Sequence, residues 1–231
     1  MPMLGKAAVA MWWNIAPSQR AEFEDWHSHE HFPERMGIPG FLRGSRWASV
    51  DGGEGFFVMY ELDCYETLTS EGYVQRLNNP TPWSTKMMPQ HRDMVRSQCI
   101  RVHSSGGGIG QYALTLRFSP AHGREAEVSV YLAEVAESFA KSPGGGAFHV
   151  LRTETPQVSA TKEQQIRGGK DTVADWIVIA IGYDLETLQT LQHEAFSAPM
   201  MEQRGFHPGA LSDTYQLAYA LTANDLGRTA Q

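Results

Sequence analysis

Short apolar segments alternate with amphipathic segments along the first half of the chain. The segment AAVAMWWNI (7–15) is continuously apolar, which predicts a buried strand, and PSQRAEFEDWHSHEHFPERMG (17–37) has helical spacing with Ser18 as its N-cap. The other elements of this half are two strands joined by the turn-forming DGGE, a second helix and a last strand, over 41–50, 55–62, 65–77 and 91–103. The predicted order is βαββαβ.

The second half repeats this order after the glycine-rich SSGGGIG (104–110), which we interpret as a linker. Its strands are predicted over 111–118, 146–154, 175–184 and 210–221, and its helices over 123–140 and 185–196. The tripeptide Glu-Thr-Leu at 66–68 recurs at 186–188 after each third strand. We therefore predict an internal duplication, with one repeat over 1–105 and the other over 110–231.

A polar segment, TPQVSATKEQQIRGGKDTV (155–173), separates the second and third strands of the second repeat. Loops of this length are uncommon in compact domains and are often functional. We expect this insertion to form an extended hairpin or a lid.

Composition narrows the classes of protein that the chain can belong to. Apolar residues make up 42% of the 231 residues, yet no apolar run approaches the roughly 20 residues that a membrane span requires. The net charge of −7 and the lack of a basic run argue against a nucleic-acid partner. Cys64 and Cys99 form no Cys-x-x-Cys pair, and no signal-peptide cleavage pattern follows the N-terminal apolar residues. These features predict a cytoplasmic protein with reduced thiols and no membrane partner.

The segment between the first helix and the second strand carries the most specific motif. WHSHEHFPER (26–35) is followed by IPGF (38–41) and RGSR (43–46). This succession resembles the helix-to-strand signature W…EH.PE…PGF…R of EthD-like proteins and related members of the ferredoxin-like dimeric α/β-barrel superfamily. The second repeat lacks the motif, because a gap-free alignment places Ser129, Val130, Glu134 and Ser138 opposite Trp26, His27, His31 and Arg35. We therefore expect the first repeat to bear the site and the second repeat to carry a degenerate one.

The resemblance implies an α+β fold in which two tandem ferredoxin-like βαββαβ repeats pair their antiparallel sheets into an α/β barrel. Members of this superfamily include cofactor-free monooxygenases, lactone isomerases, polyketide cyclases and haem proteins, so the fold alone does not select a reaction. Pairing within one chain leaves strand edges or helix faces free, and we expect a homodimer.

The histidine-rich segment has three interpretations. On a helix, His27 and His31 share one face and His29 lies on the opposite one. A metal site would use His27, His31 and a carboxylate, but the further histidines of the chain are scattered, at His91, His103, His149 and His207. An acid/base site needs one imidazole beside a carboxylate in an apolar pocket. Alternatively, these residues only attach the helix to its neighbours.

Polar residues on predicted strands suggest where a pocket lies. Trp12 and Asn14 share one face of the first strand, and Arg43 and Trp47 share a face of the second strand with Phe41 and Ser45. Such a face suits a cavity for a partly polar aromatic ligand, although an ion pair or solvent would also accommodate Arg43. Further substrate-binding candidates are Trp26, Trp83 in the loop over 78–90, and Arg117, which shares its strand face with Thr115 in the second repeat.

These observations favour an enzyme that uses no cofactor and acts on a small aromatic or polyketide-like molecule. His31 is the candidate acid/base with His27 beside it, and Glu34 or Glu30 is the orienting carboxylate. Arg43 or Asn14 is the candidate that stabilises an enolate-like oxygen. An isomerase, a cyclase and a monooxygenase all fit this chemistry.

Two other classes stay open. A non-catalytic small-molecule-binding or stress-related protein would use the same pocket. A haem protein would need an axial ligand, for which His149 and His193 of the second repeat are the candidates. No metal site is assigned and no cofactor is expected, with haem or a divalent metal left open.

Overall fold

The computed structural model describes residues 3–155, 161–169 and 171–227. Eight strands run through these residues: β1 (Ala7–Asn14), β2 (Phe41–Ser49), β3 (Gly55–Leu62), β4 (Arg92–Gly106), β5 (Tyr112–Phe118), β6 (Gly145–Thr153), β7 (Trp176–Gly182) and β8 (Leu211–Thr222). The helices are α1 (Pro17–Trp26), α2 (Phe32–Met36), α3 (Glu71–Asn78), α4 (Pro82–Met87), α5 (Glu125–Phe139), α6 (Lys162–Ile166), α7 (Leu185–Glu194) and α8 (Ala198–Gln203).

The strands confirm the predicted fold class. They are hydrogen-bonded in the closed order β1-β3-β2-β8-β5-β7-β6-β4. The pairs β1–β3, β2–β3, β5–β7 and β6–β7 are all antiparallel. The chain is thus an α+β barrel protein with two tandem ferredoxin-like βαββαβ repeats. No described helix is long and apolar enough to cross a membrane.

Backbone contacts group the chain into two compact units that do not follow the order of the chain. The first unit contains Leu4–Ile100, the described part of the insertion between 154 and 173, and the C-terminal part from Ala218. The second unit contains Arg101–Thr153 and Ala174–Leu217. The insertion therefore packs with the first repeat, although its neighbours in sequence belong to the second. The repeat boundaries over 1–105 and 110–231 stay a prediction.

Several predicted elements differ in detail from the structure. Ser18 is not the N-cap, because α1 begins at Pro17, whose missing N–H suits the first helical position. The predicted helix over 65–77 is divided by Ser70, whose hydroxyl accepts a hydrogen bond from Tyr73 N and starts α3 there. The predicted loop over 78–90 contains α4, and the insertion contains α6. Residues 156–160 and 170 of the insertion lie outside the described residues.

The helices of the first unit pack on one face of its strands. Strand β1 is buried on both faces, which agrees with its continuously apolar sequence. Gly44 in β2 allows the ring of Phe32 to approach the strand, since a Cβ built at Gly44 would lie 2.3 Å from Phe32 Cε1 and 3.0 Å from Tyr60 Cε1. Phe32 is fully buried and begins α2. The absence of a side chain at Gly44 thus positions α2 against the sheet.

A methyl group at Gly44 should destabilise the fold. We expect Gly44→Ala to lower the free energy of unfolding by about 1 to 3 kcal/mol, because Phe32 and Tyr60 must move in a packed core. Urea denaturation measures the change. Gly72→Ala is the matched control, since a Cβ at Gly72 meets nothing within 4 Å and alanine is a better helix former in α3. Wild-type stability in Gly44→Ala would contradict this packing.

Candidate functional site

A small cavity of about 40 Å³ lies within the first unit, beneath the helices that carry the histidine-rich motif. Strand β1 contributes Val9, Met11 and Trp13 to its lining, which are alternate residues on one strand face. Its polar and aromatic lining residues include Trp13, Trp26, His27, His31, Arg35, Tyr60, His91 and Glu163. We call this cavity the histidine pocket.

The predicted helix over 17–37 is interrupted by a π-helical segment at His27–His31. Its i to i+5 geometry is shown by Phe32 N, which donates a hydrogen bond to His27 O. In a regular α-helix each i, i+4 step rotates by about 40°, so a series of four such residues drifts off one face. The wider π turn winds the chain back and keeps Phe23, His27, His31 and Arg35 on one buried stripe. Single π turns of this kind are frequent at functional sites.

His27 and His31 stack on each other inside the pocket. Their ring centroids are 5.4 Å apart with an interplanar angle of 26°. The ring of Trp26 lies 4.7 Å from that of His31. His29 lies on the other side of the helix, with a side chain that is 73% exposed and paired with Asp25. The predicted separation of His29 from the other two histidines is therefore seen in the structure.

Burial holds the imidazoles of the pocket in their neutral form. Desolvation lowers the pKa of His31 well below its usual value, and the nearby Arg35 lowers it further. Desolvation likewise lowers the pKa of His27, with a further contribution from Arg46. A third histidine, His91, lines the same pocket, and burial lowers its pKa to about 4. His91 Nδ1 lies 2.9 Å from Met88 O, so Nδ1 is the protonated nitrogen.

Charged groups surround the histidine stack. His31 Nδ1 lies 3.8 Å from Glu34 Oε2, and Arg35 Nη1 lies 3.8 Å from the same oxygen. Burial raises the pKa of Glu34, and the charge of Arg35 opposes that effect. Burial alone would lower the pKa of Arg35, but its ion pair with Glu163 of α6 raises it above the usual value. Arg35 is therefore a permanent cation beside a neutral imidazole.

Polar atoms without hydrogen-bond partners are concentrated at this pocket. Among the described residues, buried atoms of five lining side chains make no hydrogen bond: Trp13 Nε1, His27 Nδ1, His31 Nδ1, Arg35 Nη1 and Tyr60 OH. Each such atom costs about 1 to 3 kcal/mol when it is left unsatisfied. A cluster of unsatisfied groups in one cavity indicates a place for a polar ligand or ordered water.

Four predicted site residues lie outside the histidine pocket. Trp12 stacks on Phe57 at 5.1 Å, on the strand face opposite to Trp13. Asn14 donates a hydrogen bond to Asp93 at 2.9 Å, and Trp47 donates one to Ser45 at 3.0 Å. Arg43 forms an ion pair with Glu61 at 2.6 Å, which was the alternative considered for this residue. Arg43, Ser45 and Trp47 thus lie on the strand face opposite to the histidine pocket. Phe41 does not share that face as expected, because the register shifts between Phe41 and Arg43 and Phe41 lines the histidine pocket.

The remaining candidates are divided between the two units. Trp26 lines the pocket, and its Nε1 donates to Glu30 Oε1 at 3.1 Å. Glu30, the other candidate partner of His31, also accepts a hydrogen bond from Ser84 at 3.2 Å, so it holds Trp26 in place. Trp83 is half-buried against the core of the first unit. Arg117 belongs to the second unit, where it lies 3.2 Å from Asp213.

The residues considered as metal or haem ligands are spread over several elements of the fold. Among the described residues, no group of three His, Cys, Asp or Glu side chains is placed to hold a metal ion. His149 is buried in β6 with Nδ1 2.7 Å from Ser104 Oγ. His193 is an exposed residue of α7. Neither histidine lines the histidine pocket.

Sequence reasoning did not select Trp13, Arg35, Tyr60, His91 or Glu163 as site residues. Arg35 stands within the motif and follows His31 at the same helical spacing that joins His27 to His31. The spacing was therefore the available signal for Arg35. The length of the insertion was the available signal for Glu163. Trp13 and Tyr60 depend on which face of a doubly buried strand meets the helices, and an apolar sequence does not show that.

Comparison with known proteins supports the fold. The sequence matches no family profile and no curated protein. Among solved structures, an anthrone oxidase-like protein is 13% identical with a TM-score of 0.67, and the match covers 98% of this chain and 97% of that one. A protein of Fusobacterium nucleatum, provisionally named a monooxygenase, is 8% identical with a TM-score of 0.60 and coverages of 95% and 96%. A similarly named protein of Lactobacillus acidophilus is 11% identical with a TM-score of 0.59 and coverages of 94% and 97%.

The chain therefore has the ferredoxin-like α+β barrel fold of these structures, as the resemblance implied. At such low identities, the comparison concerns architecture and assigns no residue a role.

The buried neutral histidines should make stability depend on pH. A histidine whose folded-state pKa is depressed binds more protons when unfolded, so its cost is absent above the unfolded pKa of about 6.5 and grows as pH falls below it. Between pH 7 and pH 5 we expect the wild type to lose about 2 kcal/mol more unfolding free energy than His31→Gln. Urea denaturation at the two pH values measures the difference. His29→Gln should lose as much as the wild type, and an equal loss in His31→Gln would contradict burial of neutral His31.

Proposed function

We propose that the protein is a cofactor-independent enzyme that acts on a small aromatic or polyketide-like molecule by histidine acid/base chemistry. The observation that carries the proposal is the neutral, buried His31 in the histidine pocket, whose Nδ1 lies 3.8 Å from the same Glu34 oxygen that Arg35 approaches to 3.8 Å. A neutral imidazole accepts a proton near pH 7, whereas a protonated one does not. The proposal places the chemistry in the histidine pocket of the first repeat.

The geometry supports a division of roles. A proton on His31 Nδ1 is stabilised by Glu34 Oε2 at 3.8 Å, which leaves Nε2 to accept a proton from an acidic C–H or phenolic O–H of the substrate. The electron pair left behind moves onto the neighbouring oxygen of the substrate. Arg35 and Tyr60 have buried polar atoms without partners and are suited to stabilise that oxygen. Burial raises the pKa of Tyr60, so its hydroxyl stays a donor.

This assignment differs from the sequence-based candidates in one role. Arg43 was expected to stabilise the enolate-like oxygen, but its guanidinium is paired with Glu61 on the other strand face. We assign that role to Arg35. His27 stacks on His31 and supports the orientation of its ring.

The resulting enolate has three outcomes that need no cofactor. Return of the proton to another carbon gives an isomerase. Attack of the enolate carbon on a carbonyl carbon of the same molecule forms a ring, and the carbonyl oxygen, whose π bond breaks, takes the proton from His31, which gives a cyclase. Reaction of the enolate carbon with dioxygen gives a monooxygenase, in which one oxygen atom becomes a new carbonyl and the other leaves as water with the two substrate hydrogens. The solved structure named anthrone oxidase-like supports a polycyclic ketone with an acidic C–H as the first compound to test.

Binding without turnover is the second candidate function. The cavity of about 40 Å³ is smaller than an aromatic molecule, so an aromatic ligand requires the pocket to widen. A pocket that widens on ligand binding would also be expected of a non-catalytic or stress-related binding protein. For either function we expect a cytoplasmic homodimer with a small-molecule ligand.

Turnover and binding by a panel of phenols, lactones and anthrone test the proposal. We expect turnover of at least one compound by the wild type and a loss of about 100-fold or more in His31→Ala, because general acid/base catalysis contributes that much. His29→Ala is the control and should retain wild-type rates, since His29 is exposed on the far side of the helix.

Calorimetry separates the two functions. Binding of a panel compound without turnover would support the binding protein, and binding should weaken by about 1 to 3 kcal/mol in His31→Ala. Wild-type turnover and binding in both variants would exclude the histidine pocket as the site.

A further inference from the structure

Helix α6 of the insertion brings a buried carboxylate to the histidine pocket. We propose that Glu163 is a positioning residue that orients the guanidinium of Arg35, so that the insertion of the second repeat completes the site of the first. The inference rests on the proposed function only in one respect, namely that Arg35 stabilises an oxygen of the substrate. The orientation of Arg35 itself is tested independently.

Both oxygens of Glu163 are engaged by arginines. Arg35 Nη2 donates to Glu163 Oε1, and both side chains are about 3% to 4% exposed. Glu163 Oε2 lies 3.8 Å from Arg167 Nη1. Arg167 in turn donates to Asp171 Oδ2 from Nη2 at 2.9 Å and from Nε at 3.1 Å. The carboxylate of Glu163 is therefore held from both sides, with Arg35 on the side of the pocket.

The backbone of the insertion is attached to β4 on both sides of α6. Glu154 N donates to Gln98 O at 2.8 Å, and Thr172 N donates to Met94 O at 2.9 Å. A capping box at Thr161 starts α6, and Lys162 N donates to the Asn78 side chain at 3.1 Å. These bonds fix the approach of Glu163 to the pocket without help from the ion pair.

The ion pair selects an orientation that Arg35 would not otherwise keep. Glu34 also offers Arg35 a carboxylate, 3.8 Å from Nη1. Without Glu163, the guanidinium would turn to Glu34 and compete with His31 for the same Oε2. Attraction within a buried ion pair is largely offset by desolvation, so its net contribution to stability is small. Its larger effect is that the planar guanidinium has one defined position.

Reaction of arginines with phenylglyoxal, followed residue by residue with mass spectrometry, reports on this position without a substrate. We expect Arg35 to react slowly in the wild type and about tenfold faster in Glu163→Gln, because the charge-assisted bond that holds it is lost. Asp171→Asn is the matched control, since it removes the other carboxylate of the insertion and touches Arg167 but not Arg35. Arg46, which is 4% exposed and does not contact Glu163, reports on general unfolding in the same sample.

Three results would overturn the proposal. These are a wild-type rate at Arg35 in Glu163→Gln, an equal increase in Asp171→Asn, and a parallel increase at Arg46. If Glu163→Gln does not fold, Glu163→Asp replaces it. That variant keeps the charge on a shorter side chain and should show an intermediate Arg35 rate with an unchanged Arg46 rate, whereas a wild-type rate at Arg35 would overturn the proposal.

A double variant separates positioning from a general structural effect on turnover. Because Glu163 acts through Arg35, we expect Glu163→Gln to lower kcat in the wild-type background and to have no further effect on Arg35→Gln. If the fold loss in kcat of the double variant equals the product of the two single-variant losses, Glu163 does not act through Arg35 and the positioning role is overturned. If the wild type turns over no panel compound, the proposed function fails, while Arg35 reactivity still decides the role of Glu163.

Discussion

The site depends on one backbone constraint, the π turn at His27–His31. A regular helix would carry Arg35 about 120° away from Phe23 after three i, i+4 steps. The π turn cancels part of this rotation, so aromatic, imidazole and guanidinium groups form one buried stripe. Burial on that stripe keeps the imidazoles neutral and makes Arg35 require a counterion. The helix geometry, the protonation state and the need for Glu163 are thus linked consequences of one irregular turn.

Much of the fold follows from the sequence, because the barrel repeats one pattern of apolar and amphipathic segments. The βαββαβ order of each half and the separation of His29 from His27 and His31 were predictable from periodicity. The local errors have local causes. Helix α1 begins at Pro17, so Ser18 lies inside the helix and is not its N-cap. Ser70 interrupts the helix predicted over 65–77, although the apolar spacing continues across it.

The composition of the site was harder to predict, for two physical reasons. Strand β1 is buried on both faces, so its polar exceptions do not reveal which face meets the helices. Trp12 and Asn14 were chosen instead of Trp13 because the strand face with polar residues was taken as the pocket face. The polar residues on that face have partners within the fold, since Asn14 is paired with Asp93 and Arg43 with Glu61. The second reason is distance along the chain, since no local pattern relates Glu163 to Arg35, 128 positions earlier.

The placement of the insertion also bears on how such a site evolves. In an assembly of two identical chains, every added segment occurs twice and must be compatible with both copies of the site. A duplicated gene removes that symmetry, because a mutation then changes only one half of the product. Here His27 and His31 stand in the first half of the sequence and Glu163 stands in the second half, and each occurs in a segment that the other half lacks. The halves are therefore not interchangeable, and separating them into independent polypeptides would remove Arg35's counterion from the chain that contains the histidines.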